Sequence, residues 1–544
     1  MPFVLFHNEH DNHSLLSRHV HKEETGGRIC VNSLVSRPAS IASGGALACT
    51  WSATVPLVIS RTIAGVLAKL TDSMDNNYEP DVTDIGDTMS NSISQQGSDD
   101  IAFHMHPYTN AITHASQGPL VITRGDGIYV EDENGKKYIE AMAGLWSVAV
   151  GFSEQRLVDA AMRQMQTLPF YHLFTHKTHE AAVRFAKTLI DLAPVPMSKV
   201  FFTNSGSEAN DTVMKLLWYR SNALGQPNKK KLIARHKGYH GVTIASASLT
   251  GLPGNHKGFD LPIERVLHTT CPHYWREGKD GETEEDFATR MAADLEALIQ
   301  KEGPDTFAAF FAEPVMGAGG VIVPPKTYWE KIQAVLNKYD VLLVADEVIC
   351  GFGRTGKMFA SETYDIKPDV MVLSKQISSS YQPLSAILLN SRMFDPIADE
   401  SNKLGVLGHG FTAGGHPVAV AVGQENVNII RERNLVQNAA VTGAHLQQRL
   451  AGLSDHPLVG EVRGVGLIAG LELVTDKAAK TALASPGQLG TAVGRKLQEL
   501  GVITRNIGDT LAFCPPLIIN AEQVDTLVDA VTQALDATQQ SLRS

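Results

Sequence analysis

VLLVADEV (341–348) and DVMVLSK (369–375) are the two stretches whose reading decides the fold. Each is short, apolar and rich in β-branched residues, the pattern of a strand buried on both faces in a parallel sheet. Asp346 closes the apolar part of the first, and Lys375 closes the second, 29 positions later. Ligands of open α/β sheets sit beyond the carboxyl ends of such strands. An acid and an amine are therefore expected side by side at one site.

Working outward, strand and helix patterns alternate. KVFFTN (199–204) is followed by a helix opening at Ser207, then KLIARH (231–236), a helix around Ala288–Gln300, FAAFFAEPV (307–315) and a helix around Tyr328–Lys338. This alternation predicts an α/β fold with a mostly parallel central sheet and covering helices. Upstream, GDGIYVEDENGKKYIEA (125–141) reads as a β-hairpin turning at Asn134-Gly135. Ser153 is placed to cap a helix with an apolar face of Leu157, Ala160, Ala161, Met165 and Leu168. Beyond Gly415, two long helical patterns and the short strand patterns GVGLIAGLEL (464–473) and TLAFCPPLII (510–519) predict a smaller α+β domain. The expected division is an extension over 1–100, an N-terminal segment of the small domain over 101–152, a large domain over 153–410 and the C-terminal small domain over 411–544.

The chain has 544 residues, of which 43% are hydrophobic and 19% charged, and its net charge of −11 leaves no basic footprint for nucleic acid. Five widely spaced cysteines form neither a disulfide framework nor a zinc pattern and fit a reducing, cytoplasmic setting. The first hundred residues differ in composition. Thr25–Thr71 carries no acid but has Arg28, Arg37, Arg61 and Lys69, a trace of an organelle-targeting pattern, with Glu23 and Glu24 just upstream. Pro38–Ser60 is uncharged but too poor in large apolar residues to read as a membrane span. The plainer reading is a disordered extension or a non-native leader, with Met89 as an alternative start.

Several motifs point at chemistry. Ser205-Gly206-Ser207-Glu208-Ala209-Asn210 follows a strand and opens a helix, where small residues and free N–H groups suit a phosphate. Read alone, it is equally a turn with a serine cap. Tyr239-His240 follows KLIARHKG and offers a ring to stack on a planar ligand, or simply a half-buried loop tyrosine. Glu313 ends an apolar strand and either orients Asp346 or faces solvent. Val348 presses on a ligand ring or packs in the core. Lys375, at a strand end beside a phosphate site, is the type of lysine whose amine loses its proton and becomes nucleophilic. Amine and acid at neighbouring strand ends are the pair that pyridoxal phosphate chemistry uses: the amine condenses with the aldehyde, and the acid keeps the ring nitrogen protonated. Gly351-Phe352-Gly353-Arg354-Thr355-Gly356 matches a dinucleotide fingerprint, but only 12 residues separate Gly356 from Asp369, with Lys367-Pro368 among them. It reads as a tight loop leading to the next strand. His104 and His106 alternate in a polar segment without further ligands close in sequence, so no metal site is expected.

HPYT (106–109), GLWSVAVGF (144–152), LPFYHLFTHKTH (168–179), FFTNSGSEANDT (201–212), KGYHG (237–241), AEPVMGAGGVIVPP (312–325), VLLVADEVICGFGRTG (341–356), HGFTAGGHPVA (409–419) and EVRGVGL (461–467) together resemble the class III pyridoxal-phosphate aminotransferases of fold type I, most closely the pyruvate-dependent ω-transaminases. The resemblance runs from about His104 to the C-terminus. It implies pyridoxal 5'-phosphate bound as a Schiff base to Lys375, with Asp346 at the ring nitrogen, Tyr239 stacked on the ring, and Ser205, Gly206, Ser207 and His240 around the coenzyme. Thr412 would hold the phosphate of the second subunit of a homodimer. Arg463 would receive a substrate carboxylate, and Leu145, Trp146, Phe170 and Tyr171 would wall the amine pocket. The implied reaction moves an amino group from a primary amine or ω-amino acid to a keto acid such as pyruvate, by way of pyridoxamine phosphate. Other chemistry on the same coenzyme (aminomutase, decarboxylase, racemase) and a non-catalytic protein on this fold remain as alternatives. One departure stands out: where the family has glycines after its lysine, this chain has Gln376, Ser380 and Ser385.

Overall fold

The computed structural model describes residues 93–544, which fall within one compact unit; the readings made for Thr25–Thr71, Pro38–Ser60 and Met89 lie outside the described residues. A hairpin is formed by β1 (Ile122–Asp126), β2 (Tyr129–Asp132) and β3 (Lys137–Glu140). The central strands are β4 (Lys199–Thr203), β5 (Lys231–Arg235), β6 (Val266–Thr269), β7 (Phe307–Ala312), β8 (Leu342–Asp346), β9 (Val370–Leu373) and β10 (Ser385–Leu389). They form one seven-stranded sheet in the order β4-β10-β9-β8-β7-β5-β6. All neighbours in it are parallel except those of β10, which runs antiparallel to both β4 and β9. The expected mostly parallel sheet is present, and the sequence patterns correctly located β4, β5, β7, β8 and β9. They missed β6 and β10. SAILL in β10 is wholly buried, and a short apolar run reveals neither its direction nor its neighbours.

The apolar run of β8 has a concrete cause. Leu342 and Val344 share a core with Val213 and Leu217 of the helix Gly206–Ala223. Leu343 shares another with Phe287 and Ile299 of Glu284–Glu302 and Ile332 of Tyr328–Lys338. Side chains alternate along a strand, so both faces must be apolar. The same alternation puts Asp346 on the face of Leu342 and Val344, towards the helix that begins at Gly206.

The remaining strands are β11 (Val459–Val465), β12 (Ile468–Leu473), β13 (Val502–Ile503), β14 (Arg505–Ile507) and β15 (Thr510–Phe513). Four form a sheet in the order β11-β12-β15-β14, while β13 adds in parallel to β3. N- and C-terminal segments thus share a sheet. The helix Pro417–Glu432 packs on Gln155–Thr167 and Glu180–Leu192, so it lies against elements from before residue 411. Among the described residues, no helix is long and apolar enough to cross a membrane. Cys271, Cys350 and Cys514 are free and buried.

Ser153 does not cap the next helix. It sits at φ 60° and donates to the Gly125 carbonyl at 2.5 Å, and Glu154 is the cap, accepting from Arg156 N. A carboxylate has the longer reach and also favours the positive helix end. Of the expected apolar face, Leu157 and Ala160 are buried, whereas Met165 is 53% exposed.

Candidate active site

Gly206, Tyr239, Glu313, Asp346, Val348 and Lys375 line one cavity of about 120 Å³. Each comes from the carboxyl end of a strand: β4, β5, β7, β8 and β9 all discharge their loops here. The acid and the amine read from the two opening stretches therefore meet at one site.

Asp346 is 3% exposed. Its Oδ2 lies 2.8 Å from His240 Nδ1 and accepts from Asn210 Nδ2 at 3.0 Å. Its Oδ1 accepts from the Val348 amide at 3.2 Å. His240 is itself fully enclosed, with its amide donating to Thr250 Oγ1 at 2.8 Å. Asn210 also donates to the His240 carbonyl at 2.7 Å. The carboxylate is thus held in one orientation from behind, and Oδ1 retains acceptor capacity at the cavity wall. Asn210 stands in the motif quoted for its phosphate turn, yet its role was not read there; one helical turn past Gly206 is the signal that places it on the sheet side.

Burial lowers the Lys375 amine to about 8, against the opposing pull of Asp346 and Glu313, and the positive charge of Arg505 adds to the fall. Its backbone occupies the left-handed region at φ 49°. Glu313 does not touch Asp346 but organises the loops beside it. It accepts from the Tyr239 amide at 3.0 Å through Oε1 and from the Gly317 amide at 2.9 Å through Oε2. Burial raises its pKa, as does the neighbouring Asp346 charge. Burial likewise pushes up the Tyr239 hydroxyl.

At the other end of the cavity, the helix Gly206–Ala223 presents its first amides. Ser205 is the helix cap: its Oγ accepts from Glu208 N at 3.1 Å, so that hydroxyl is engaged in the helix and Ser205 does not line the cavity. Ser207 Oγ accepts from Val242 N at 3.1 Å. Gly241 has φ 131°, and a Cβ there would lie 2.6 Å from Ser207 Oγ. Only glycine lets the loop after β5 close on the helix start. Pyridoxal phosphate fits these walls. Free amides of a helix N-terminus suit its phosphate, Asp346 Oδ1 suits its ring N–H, and the partly deprotonated Lys375 suits its aldehyde.

The expected substrate residues fare differently. Arg463 is not available. Its guanidinium pairs with Glu461 and, at 2.7 Å, with Glu472, and its Nε donates to the carbonyls of Gly320 at 3.1 Å and Val321 at 3.0 Å. A guanidinium whose donors are consumed inside the protein offers nothing to a ligand carboxylate, and the expectation for Arg463 is corrected. Arg505, at the start of β14, has no ion pair among the described residues, and its charge reaches both Lys375 and Tyr239. Sequence reading missed it because nothing local separates one strand arginine from another. Trp146 is 1% exposed and shares a buried cluster with Ile349, itself a lining residue. Leu145, Phe170, Tyr171 and Thr412 are exposed on this single chain and lie off the cavity wall. Gly353 and Gly356 form the expected tight loop, with buried Arg354 tied to the Leu467 carbonyl at 2.9 Å and to Gln376 Oε1 at 3.2 Å. Asp369 is structural, accepting from Leu343 N at 3.0 Å and Asn390 Nδ2 at 3.0 Å.

Comparison with known proteins agrees with this geometry. Residues 111–535 match the family model for class-III aminotransferases. The chain is 50% identical over 456 residues to gamma aminobutyrate transaminase 1, mitochondrial, of Solanum lycopersicum, covering 83% of this chain and 88% of the relative. A chloroplastic gamma aminobutyrate transaminase 3 of the same plant is 50% identical over 434 residues, covering 80% and 84%. Among solved structures, the omega transaminase from Pseudomonas jessenii in complex with PMP superposes with a TM-score of 0.82 at 61% identity, covering 82% of this chain and 99% of that one. A structure described as a transaminase with L-ala gives a TM-score of 0.78 at 67% identity, covering 78% and 100%.

Proposed function

The chain belongs to the class-III aminotransferases, pyridoxal-phosphate-dependent enzymes of fold type I, and from that premise we propose which residues carry the amino transfer and which substrates it joins. Bound pyridoxal phosphate supplies an aldehyde that takes up the amino group and a protonated ring that draws electrons from the reacting carbon. Gly206 and Ser207 hold the phosphate with their amides. Asp346, fixed by His240 and Asn210, would accept from the ring N–H through Oδ1. Tyr239 and Val348, both lining the cavity, would cover the ring. Lys375 anchors the aldehyde carbon. The same amine, once free, would move the proton at the reacting carbon, as base and then acid. The observation that carries this reading is Asp346 and Lys375 lining one cavity with the phosphate turn at its far end.

The donor is a primary amine or ω-amino acid, and the acceptor is pyruvate, leaving as alanine. The names of the tomato relatives support the first, and the neighbour with L-alanine supports the second. Arg505 pairs with the acceptor carboxylate by two parallel hydrogen bonds. The active unit is a homodimer: Leu145, Phe170, Tyr171 and Thr412, exposed on one chain, complete the site of the partner. The folded unit works in the cytoplasm in this reading; the compartments in the relatives' names are theirs.

Alanine formed from pyruvate and a panel of amines tests the assignment. Lys375→Ala abolishes turnover. Arg505→Ala raises KM for pyruvate about 10-fold or more, the loss of a charged hydrogen-bonded pair. Arg463→Leu leaves KM for pyruvate within about 2-fold, because its guanidinium serves only the protein. A Lys375→Ala enzyme that still turns over sinks the reading, and a pyruvate KM that follows Arg463 instead of Arg505 sinks the carboxylate assignment alone.

A further inference from the structure

Outside the active site, one cluster of side chains has no role in the reaction. Asp100 stands in the last turn of the helix Gln95–Phe103, and His104, four residues on, caps it from the same face. The chain then runs extended, so His106 returns to the side of His104. His114 comes from the next helix, Ala111–Gln117. The result is convergent. His104 Nδ1 lies 3.0 Å from Asp100 Oδ1, His106 Nε2 2.8 Å from Oδ2, and His114 Nε2 3.0 Å from Oδ2. The rings lie tilted against one another in series, with centroids 4.5 Å and 4.2 Å apart.

From this arrangement we propose that Asp100, His104, His106 and His114 form a binding site for a divalent transition-metal ion of the zinc and cobalt class. Three imidazoles and one carboxylate are a donor set that suits such ions. One donor atom each from Asp100, His104 and His106 already lies within 4.8 Å of the others, and His114 supplies the fourth from across the turn. A tetrahedral ion with bonds of about 2.0–2.1 Å sets its ligands roughly 3.3 Å apart, so each histidine nitrogen needs to part from the Asp100 carboxylate by only a few tenths of an ångström. The second grouping of this kind, His273, Glu461 and Glu472, is already neutralised by Arg463, which pairs with both carboxylates. Sequence reading set His104 and His106 aside for want of neighbours. Asp100 and His114 are those neighbours, one brought in by helical spacing and one by the fold.

The site also bears on a neighbouring loop. Pro107 and Tyr108 lie between its ligands, and the Tyr108 hydroxyl accepts from Asn255 Nδ2 at 2.5 Å. A bound ion would pin the turn that carries Tyr108 to the loop that carries Asn255.

The test is titration of chelator-treated holoenzyme with cobalt(II), followed by visible d–d absorption and by the unfolding midpoint. One ion per chain, a tetrahedral band and a raised midpoint are expected. His106→Ala and Asp100→Asn each lower the affinity by about tenfold or more and lose the rise in midpoint, while His273→Ala keeps both. Absence of a saturable band in the unaltered enzyme, or the same band in His106→Ala, overturns the proposal. A variant too unstable to assay is replaced by His104→Gln, whose midpoint must likewise fail to respond to cobalt.

Discussion

In its proposed role, Lys375 bears an electrostatic cost on behalf of the reaction. Burial holds its amine at about 8 rather than the usual 10.5. At pH 7 about a tenth of the coenzyme-free enzyme then carries a free amine, several hundred times the fraction for an ordinary lysine. The direction follows from proton counting. Between about 8 and 10.5 the unfolded chain still holds the proton and the folded chain does not, so this group's contribution to stability rises with pH across that window. Below 8 both forms are charged, and the burial penalty stands in full. Uptake of pyridoxal phosphate by the apoenzyme should accelerate about tenfold per pH unit below 8 and level off above it, read by absorbance in a stopped-flow instrument. A rate independent of pH from 6.5 to 9 would contradict the assignment. The contrast of the two arginines belongs to this scale too: Arg463 and Arg505 have the same chemistry, and only their partners separate them.

Among the elements, the turn after β9 places two serines in an unfavourable backbone region. Ser379 and Ser380 both lie in the left-handed region, at φ 49° and 58°. Such a conformation costs a residue with a Cβ about 1–2 kcal/mol. Ser379 recovers it: its hydroxyl donates to Asn426 Oδ1 at 2.6 Å and accepts from the amides of Ala149 at 3.1 Å and Val150 at 3.3 Å. The Ser380 side chain makes no hydrogen bond within the described chain and faces solvent. Ser380→Gly should therefore stabilise the enzyme by about 0.5–1 kcal/mol, the strain relieved less the added freedom of the unfolded chain. Ser379→Gly should destabilise it by about 1–3 kcal/mol, since buried amides lose their acceptor. Denaturant midpoints measured side by side check both, and equal shifts would show that the hydroxyl network does not matter. Gln376, the first replaced glycine, is likewise engaged, donating to the Ile349 carbonyl at 2.6 Å.

For the whole molecule, what stands out is what one chain leaves open. Leu145, Phe170 and Tyr171 are 57%, 43% and 40% exposed, although the family resemblance assigns them to a substrate pocket. Large apolar side chains in that state mark a surface that another protein covers. Sedimentation of the purified enzyme should give a dimer, and Phe170→Asp should shift it towards monomer and release pyridoxal phosphate while far-ultraviolet circular dichroism stays unchanged. A monomer that retains full coenzyme and activity would remove the shared-site reading.

The sequence by itself determined the strands that flank the site, the acid and the amine at their ends, the small-residue turn that opens the helix at Gly206 and the family. Those features are local: both faces of β8 are covered, so its run must be apolar, and a polar residue closing such a run is conspicuous. Tertiary structure alone decided the direction of β10, the grip of His240 and Asn210 on Asp346, the exclusion of Arg463, the approach of Arg505 and the gathering of Asp100 with three histidines. Each of these depends on which side chains meet across long separations in the chain. A guanidinium looks the same in sequence whether its donors are spent on Glu461 and Glu472 or left for a ligand, and only packing reveals the difference.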